Sequence, residues 1–234
     1  MGRGSSRAGD GCGASPLRDD GGASLVEKVV VHVLDCAPLA GHEDACRGVV
    51  APMYARRSEV GPARVRLEAL GGGLLARDVL GVVADADVGY GEYGKPYVAG
   101  GPEFNLTNDV GIVALAVAKR PVGIDLEEIP ARYRDVEDLI TRKYYDEAER
   151  AAVGDGSTRE RRAAWARAWT RREAILKAMG TGFAVDPRKR PEVLLGWELR
   201  SAELGDAVMT CALDVPFEMR VLRRDALRLL ARYC

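Results

Sequence analysis

Residues 109–128, DVGIVALAVAKRPVGIDLEE, read as two β-strands with almost no turn between them. The run of Val, Ile, Ala and Leu makes the first a buried strand, and Pro121 opens the second. A join this tight divides the chain, because one coarse order of elements occurs on either side of Arg120-Pro121. Upstream, VEKVVVHVLDC (26–36) is strand-like and rich in β-branched residues. Helical periodicity follows over 43–57 and 63–80, weakened in the second by Gly71-Gly72-Gly73. YGEYGKPYVAGG (90–101) is a loop with a short extended piece.

Downstream, helical segments cover 134–142 and 146–153, with Tyr144-Tyr145 packing at the start of the latter. A long helix then spans 158–179, stopped by Gly180 and Gly182 and later Pro187. EVLLGWELR, AVMTCALDV and FEMRVL alternate as strands. Each half thus goes strand, helices, strands, which predicts an α+β protein of two related halves, 25–120 and 121–234, packed into one body. Residues 1–24 are rich in Gly, Ser, Asp and Arg and hold no apolar h-region, so they predict a disordered tail and not a signal peptide.

Composition excludes several classes. A formal net charge of −1, with only eight Tyr, three Trp and three Phe, argues against a dedicated nucleic-acid binder. The longest apolar run, Val110 to Ala118, ends at Lys119-Arg120 and is too short to cross a bilayer, so no membrane span is expected. Five cysteines with no close pairing point to free thiols in a reducing cytoplasm. His32-x3-Cys36 followed by His42-x3-Cys46 holds residue types that suit tetrahedral zinc. His32 and Cys36 share one strand face about 13 Å apart, however, so core thiols and an ordinary polar histidine are the better reading. There is no G-x-S-x-G elbow, both histidines lie near the amino terminus, and Gly9-x-Gly11 follows no strand.

VGIDLEEIP (122–130) carries acids where a strand should stay apolar. By strand alternation Val122, Ile124 and Leu126 face one way while Gly123, Asp125 and Glu127 face the other. Two carboxylates that close repel unless a cation lies between them, and oxygen-only donors suit a hard ion, magnesium before zinc. A strand end running into solvent would also place acids here. Glu128 alternates back to the other face.

Through WTRREAILKAMGTG (169–182) and the turn before it, Trp165, Trp169, Glu173 and Lys177 follow at i+4 and form one helical ridge. Glu before Lys at this spacing is the commonest surface pair, of small energetic value. The two tryptophans on the same row argue instead for a ridge packed inward. Arg171 and Arg172 add cationic donors beside it. Gly94-Lys95-Pro96, leading into Phe104-Asn105-Leu106-Thr107-Asn108, offers a lysine in a stiffened loop, which suits a phosphate contact or a solvated surface.

Taken in order, EYGKP (92–96), FNLTN (104–108), VGIDLE (122–127) and WTRREAILKAMGTG (169–182) resemble the 4′-phosphopantetheinyl transferases of the surfactin type. The GID-x-E with W-x-x-[KR]-E-x-x-x-K combination is highly specific. The resemblance implies a pseudo-dimeric α+β fold and an enzyme with holo-[acyl-carrier-protein] synthase activity. Such an enzyme moves the phosphopantetheine arm of coenzyme A onto a serine of an apo carrier protein and releases 3′,5′-ADP. It further implies that Asp125, Glu127 and Glu173 bind magnesium, and that Glu173 is the base on the incoming serine, directly or through water. Lys177 would neutralise pyrophosphate charge, with Arg172 replacing a lysine of similar role. Lys95, Pro96, Thr107 and Asn108 fall at coenzyme-contacting positions.

The chain departs from that pattern at Thr107-Asn108, where the family usually has Ser-His; asparagine cannot carry the positive charge that histidine can offer a phosphate. The basic cluster expected to grip the 3′-phosphate reduces to Arg64 and Arg66, whereas Arg77 reads as a helix-surface residue. Length favours a monomer over the shorter-chain trimeric synthases. Two alternatives stand beside the transferase. One is a relative that binds coenzyme A or carrier protein without turnover. The other is a nucleic-acid-binding helix on the basic run Arg159 to Arg172, more simply a solvated face or a docking surface for acidic carriers. The carrier served (fatty-acid, polyketide or peptide synthase) is not encoded in these motifs.

Overall fold

The structure, a computed structural model, describes residues 26–234. Cys12, the Gly9-x-Gly11 stretch and the expected tail at 1–24 lie outside the described residues. Strand β1 (Glu27–Asp35) is followed by helices α1 (Glu43–Val49), α2 (Pro52–Arg57) and α3 (Ala63–Leu80). A two-residue ribbon of β2 (Gly89–Tyr90) and β3 (Pro96–Tyr97) precedes β4 (Glu103–Asp109) and β5 (Ile112–Ala118). The order then recurs with β6 (Gly123–Glu128), helices α4 (Asp135–Tyr144), α5 (Glu147–Val153) and α6 (Arg159–Met179), and strands β7 (Glu198–Leu204) and β8 (Ala207–Leu213). Strand β9 (Phe217–Arg224) and helix α7 (Ala226–Leu230) complete the chain.

The expected α+β class is borne out, and the recurrence extends to topology. The sheet containing β1 has the order β4-β5-β1-β9, and the sheet containing β6 has the order β6-β8-β7. Reading β4-β5-β1 against β7-β8-β6, each half pairs its first strand with its last and its last with the strand before it, antiparallel throughout. Strand β9 breaks the likeness by adding parallel to β1, from Glu27↔Phe217 to Leu34↔Arg224.

Alternation sorts the strand residues into layers. Val29, Val31 and Val33 of β1, with Val122 just before β6, Ile124 and Leu126 of β6 and Met209, Cys211 and Leu213 of β8, form the core between the sheets. The opposite face of the β1 sheet, through Leu34, Val113 and Leu115, packs on α1, α3 and α7. The opposite face of the second sheet, through Val208 and Ala212, receives α6. Gly123, Asp125 and Glu127 therefore point toward α6, as the alternation of VGIDLEE predicts.

Three local expectations need correction, and one motif for which no element is expected gains one. Residues 43–57 form two helices, because Pro52 at the start of α2 leaves Ala51 extended and ends α1. The Gly71–Gly73 run does not interrupt α3; it lets the helix approach closely, since a Cβ on Gly73 would meet Val50 and Tyr54 at 2.8–2.9 Å. The strand read from Glu192 begins only at Glu198, after a short turn at Pro191–Leu194. FNLTN belongs to a full strand, β4, with Asn105 and Thr107 buried.

The thiols take the core role favoured over zinc. Cys36 and Cys46 are buried among Leu39, Leu70 and Leu74, and burial raises both thiol pKa values, that of Cys46 to about 11. His32 Nδ1 lies 2.8 Å from Arg224 Nη1.

Candidate active site

Strands β4 and β6 are the facing edges of the two sheets, and side chains join them. Asn105 Oδ1 accepts from the Ile124 amide at 2.9 Å, and Asp109 Oδ2 accepts from the Glu128 amide at 2.9 Å. The polar face of β4 thus satisfies the open edge of β6, which is why a strand of such polar composition can be buried. Between these anchors, Thr107 Oγ1 lies 3.4 Å from Asp125 Oδ1.

Helix α6 is the third wall. Thr158 caps its start by accepting from the Arg161 amide, and Gly180, in the left-handed region, ends it. It lies on β6 so closely that the Gly123 Cα abuts the backbone of Ala174 and Ala178, leaving no room for a side chain. Trp165 is buried and donates through Nε1 to Glu137 O at 3.1 Å. The ridge it starts does face inward: Trp169, Glu173 and Lys177 line a cavity of about 450 Å³ with Leu106, Thr107, Asn108, Asp109, Asp125 and Glu127. Lys177 does not make the surface pair with Glu173; its ammonium lies 2.5 Å from Asp125 Oδ1 and 3.4 Å from Thr107 Oγ1.

The acids here are uncomfortable. Burial pushes the Asp125 carboxyl up, against the pull of the Lys177 ammonium. Burial and then the charges of Asp125, Asp109 and Glu173 raise Glu127 to about 8. Burial and Asp125 raise Glu173 to about 7. Asp125 Oδ2 is buried without a hydrogen-bond partner. Among the described residues no three carboxylate, imidazole or thiol groups already form a closed metal cage. The donor set nevertheless fits a hard divalent cation: oxygen only, one buried oxygen unpartnered, and mutual repulsion that a cation would relieve.

The other sequence candidates are distributed around this cavity. Asn108 lines it, but its Nδ2 donates to the buried Glu68 Oε2 at 2.8 Å. Glu68 Oε1 also accepts from the Gly111 amide at 2.7 Å, which anchors the β4–β5 turn where Val110 takes the strained φ of 47°. Arg64 bridges Glu68 and Asp109 at 3.7 and 3.6 Å. Arg66 is bonded to Gly61 O, and Arg77 to Val49 O with its guanidinium over Tyr233. Lys95 and Pro96 line an adjoining cavity of about 190 Å³, shared with Asn105, Lys177 and Gly180. Arg172 is not brought to the acids: it pairs with Glu149 through both Nη atoms, donates to Ala168 O at 2.9 Å and lies over the Tyr145 ring. The basic run is likewise engaged, with Arg159 and Arg167 sharing Glu203 and Arg161 pairing with Asp155.

Three contributors escaped sequence reasoning. Asn105 and Asp109 share the Thr107 face by alternation, a signal available once FNLTND is read as a strand. Glu68 carries a weaker one, a single acid on the buried side of an apolar helix.

A strand-borne acid pair set against a helix-borne Glu and Lys, at the seam of two like α+β halves, defines a site built for charge. Comparison with known proteins finds a likeness over part of the chain. Residues 121–205, which hold β6 through β7, match the family model of the 4′-phosphopantetheinyl transferase superfamily. The chain is also similar to the 4′-phosphopantetheinyl transferase gsp of Aneurinibacillus migulanus, 29% identical over 94 residues. That alignment covers 40% of this chain and 38% of the relative. The resemblance read from the motifs is borne out over this segment.

Proposed function

We propose that the protein is a 4′-phosphopantetheinyl transferase, moving the phosphopantetheine arm of coenzyme A to a serine of an apo acyl, peptidyl or polyketide carrier protein. The observation that carries the reading is the convergence of Asp125, Glu127, Glu173 and Lys177, from one strand and one helix far apart in sequence, on a single cavity. The superfamily match over the segment bearing all four supports it.

In this reaction the serine Oγ forms a bond to the phosphorus that carries pantetheine, and the bond from that phosphorus to the bridging oxygen breaks. The leaving group, 3′,5′-ADP, takes the electron pair. Such chemistry asks the protein mainly to position the reactants and neutralise developing charge. Asp125, Glu127 and Glu173 would hold magnesium, which when bound supplies charge neutralisation and polarisation at the pyrophosphate while keeping part of its water shell. Lys177, which lines both cavities, would offer its ammonium to the pyrophosphate oxygens. Thr107 offers its hydroxyl beside that ammonium. Glu173 takes the serine proton, directly or through one water. Trp169 walls the cavity on the helix side.

A monomer acting in the cytoplasm completes the reading. The cavity draws β4 from one half and β6 and α6 from the other, so one chain supplies every wall. No helix among the described residues is long and apolar enough to cross a membrane, and the buried Cys36, Cys46 and Cys211 are free thiols.

The test is to incubate the protein with coenzyme A, magnesium and a panel of apo carriers from fatty-acid, polyketide and peptide synthases, and to weigh each carrier. Added phosphopantetheine mass on at least one carrier is expected. No added mass on any carrier sinks the transferase, and tight coenzyme binding without transfer would mark a non-catalytic binder.

A further inference from the structure

Lys95 stands in the turn of the β2–β3 ribbon and lines the smaller cavity beside the acidic one. Its Nζ donates to Val122 O at 3.1 Å and to Ala178 O at 3.0 Å. Val122 immediately precedes β6, the strand that carries Asp125 and Glu127. Ala178 follows Lys177 in the last turn of α6, where carbonyls lack partners within the helix. An ammonium there also suits the negative end of the helix dipole. The lysine stem runs over Gly180, where a Cβ would come 3.2 Å from Lys95 Cδ. Burial lowers the Lys95 pKa, so the two carbonyls hold the ammonium in place of water.

One side chain from the amino-terminal half therefore bonds both elements that bear the carboxylates. We propose that Lys95 is a positioning residue, tying the end of α6 to the start of β6 so that Lys177 meets Asp125, and is not a phosphate contact. This rests on the transferase reading, in which the resemblance would place Lys95 on the coenzyme's phosphates. A contact to phosphate acts on ligand affinity, whereas a clamp acts on the geometry in which bound reactants meet.

Lys95→Met keeps the stem and removes the donors. Its binding of 3′,5′-ADP, followed by calorimetry, is expected to stay within about 2-fold of wild type, because no phosphate partner is lost. Transfer should show kcat reduced about 10- to 100-fold with KM for coenzyme A little changed. Amide hydrogen exchange should quicken in β6 and the last turn of α6, and stay unchanged in α3. Loss of 3′,5′-ADP affinity by 10-fold or more, with exchange at β6 and α6 unaltered, overturns the proposal. Should the wild-type protein neither transfer nor bind 3′,5′-ADP, the transferase reading fails, and the exchange pattern alone still decides the clamp.

Discussion

Lys177 Nζ lies 2.5 Å from Asp125 Oδ1, and the Thr107 hydroxyl is 3.4 Å from each. The pair bridges α6 and β6 at the edge of the cavity, with Asp125 buried and Lys177 partly open. Its ammonium can thus offset part of the burial that raises the Asp125 carboxyl and still face a phosphorylated ligand. In Lys177→Met, transfer should fall at least 100-fold, the usual cost of one charge-stabilising donor. The fold should survive with about 1–3 kcal/mol less stability, because a buried carboxylate loses its partner. Steady-state rates and denaturant midpoints measure both. Near-wild-type transfer would remove Lys177 from the charge-neutralising role.

Stability of the ion-free protein should depend on pH in a specific direction. The Glu127 and Glu173 carboxyls sit at about 8 and about 7 in the fold, against an ordinary 4.5. The native state therefore holds protons that the unfolded chain has already lost. Stability should fall as pH rises from about 4.5 towards 8 and level off above that. A divalent cation favours the ionised carboxyls, so magnesium should raise the melting temperature more at pH 8 than at pH 6. Thermal melts with chelator and with magnesium test this, and Glu127→Gln should flatten the chelator series. An equally steep series in Glu127→Gln would assign the slope to other groups.

What could be read from sequence follows from what is local. Alternation placed Asp125 and Glu127 on one face of β6, and i+4 spacing placed Glu173 and Lys177 on one inward ridge, because both periodicities are properties of a single element. Strand β4 was hidden because Asn105 and Thr107 are polar, and Asp109 reads as part of the next strand, until β6 supplies their partners. Glu68 was hidden for the same reason, since its partners Asn108 and Gly111 come from another element. Arg172 shows the opposite case: it stands beside Glu173 in sequence but its guanidinium does not stand beside Glu173 in space. Adjacent helical residues point about 100° apart, and the guanidinium reaches Glu149 on α5 instead.

That divergence makes Arg172 informative. In Arg172→Met the Glu149 carboxylate loses a two-point partner and Tyr145 its stacked cation. A destabilisation of about 2–4 kcal/mol is expected, as for a largely buried pair broken on one side. The KM for coenzyme A should stay within about 2-fold of wild type, because no uniform binding contact is removed. A tenfold rise in KM at unchanged stability would return Arg172 to the coenzyme.

The closeness of β6 and α6 is itself open to test at Gly123. A Cβ there would overlap the backbone of Ala174 and Ala178, atoms that cannot swing aside as a flexible side chain would. Gly123→Ala must push the helix off the strand, at a cost of about 3 kcal/mol or more. The same displacement separates Lys177 from Asp125, so transfer should be lost even under conditions where the variant remains folded. Gly48→Ala is the matched control: it lies in α1 with nothing within 4 Å of the new Cβ, and alanine is the better helix former. Denaturant midpoints and transfer rates, taken together on both variants, decide the matter. If Gly123→Ala is as stable and active as Gly48→Ala, the two elements are not held at the distance on which the site depends.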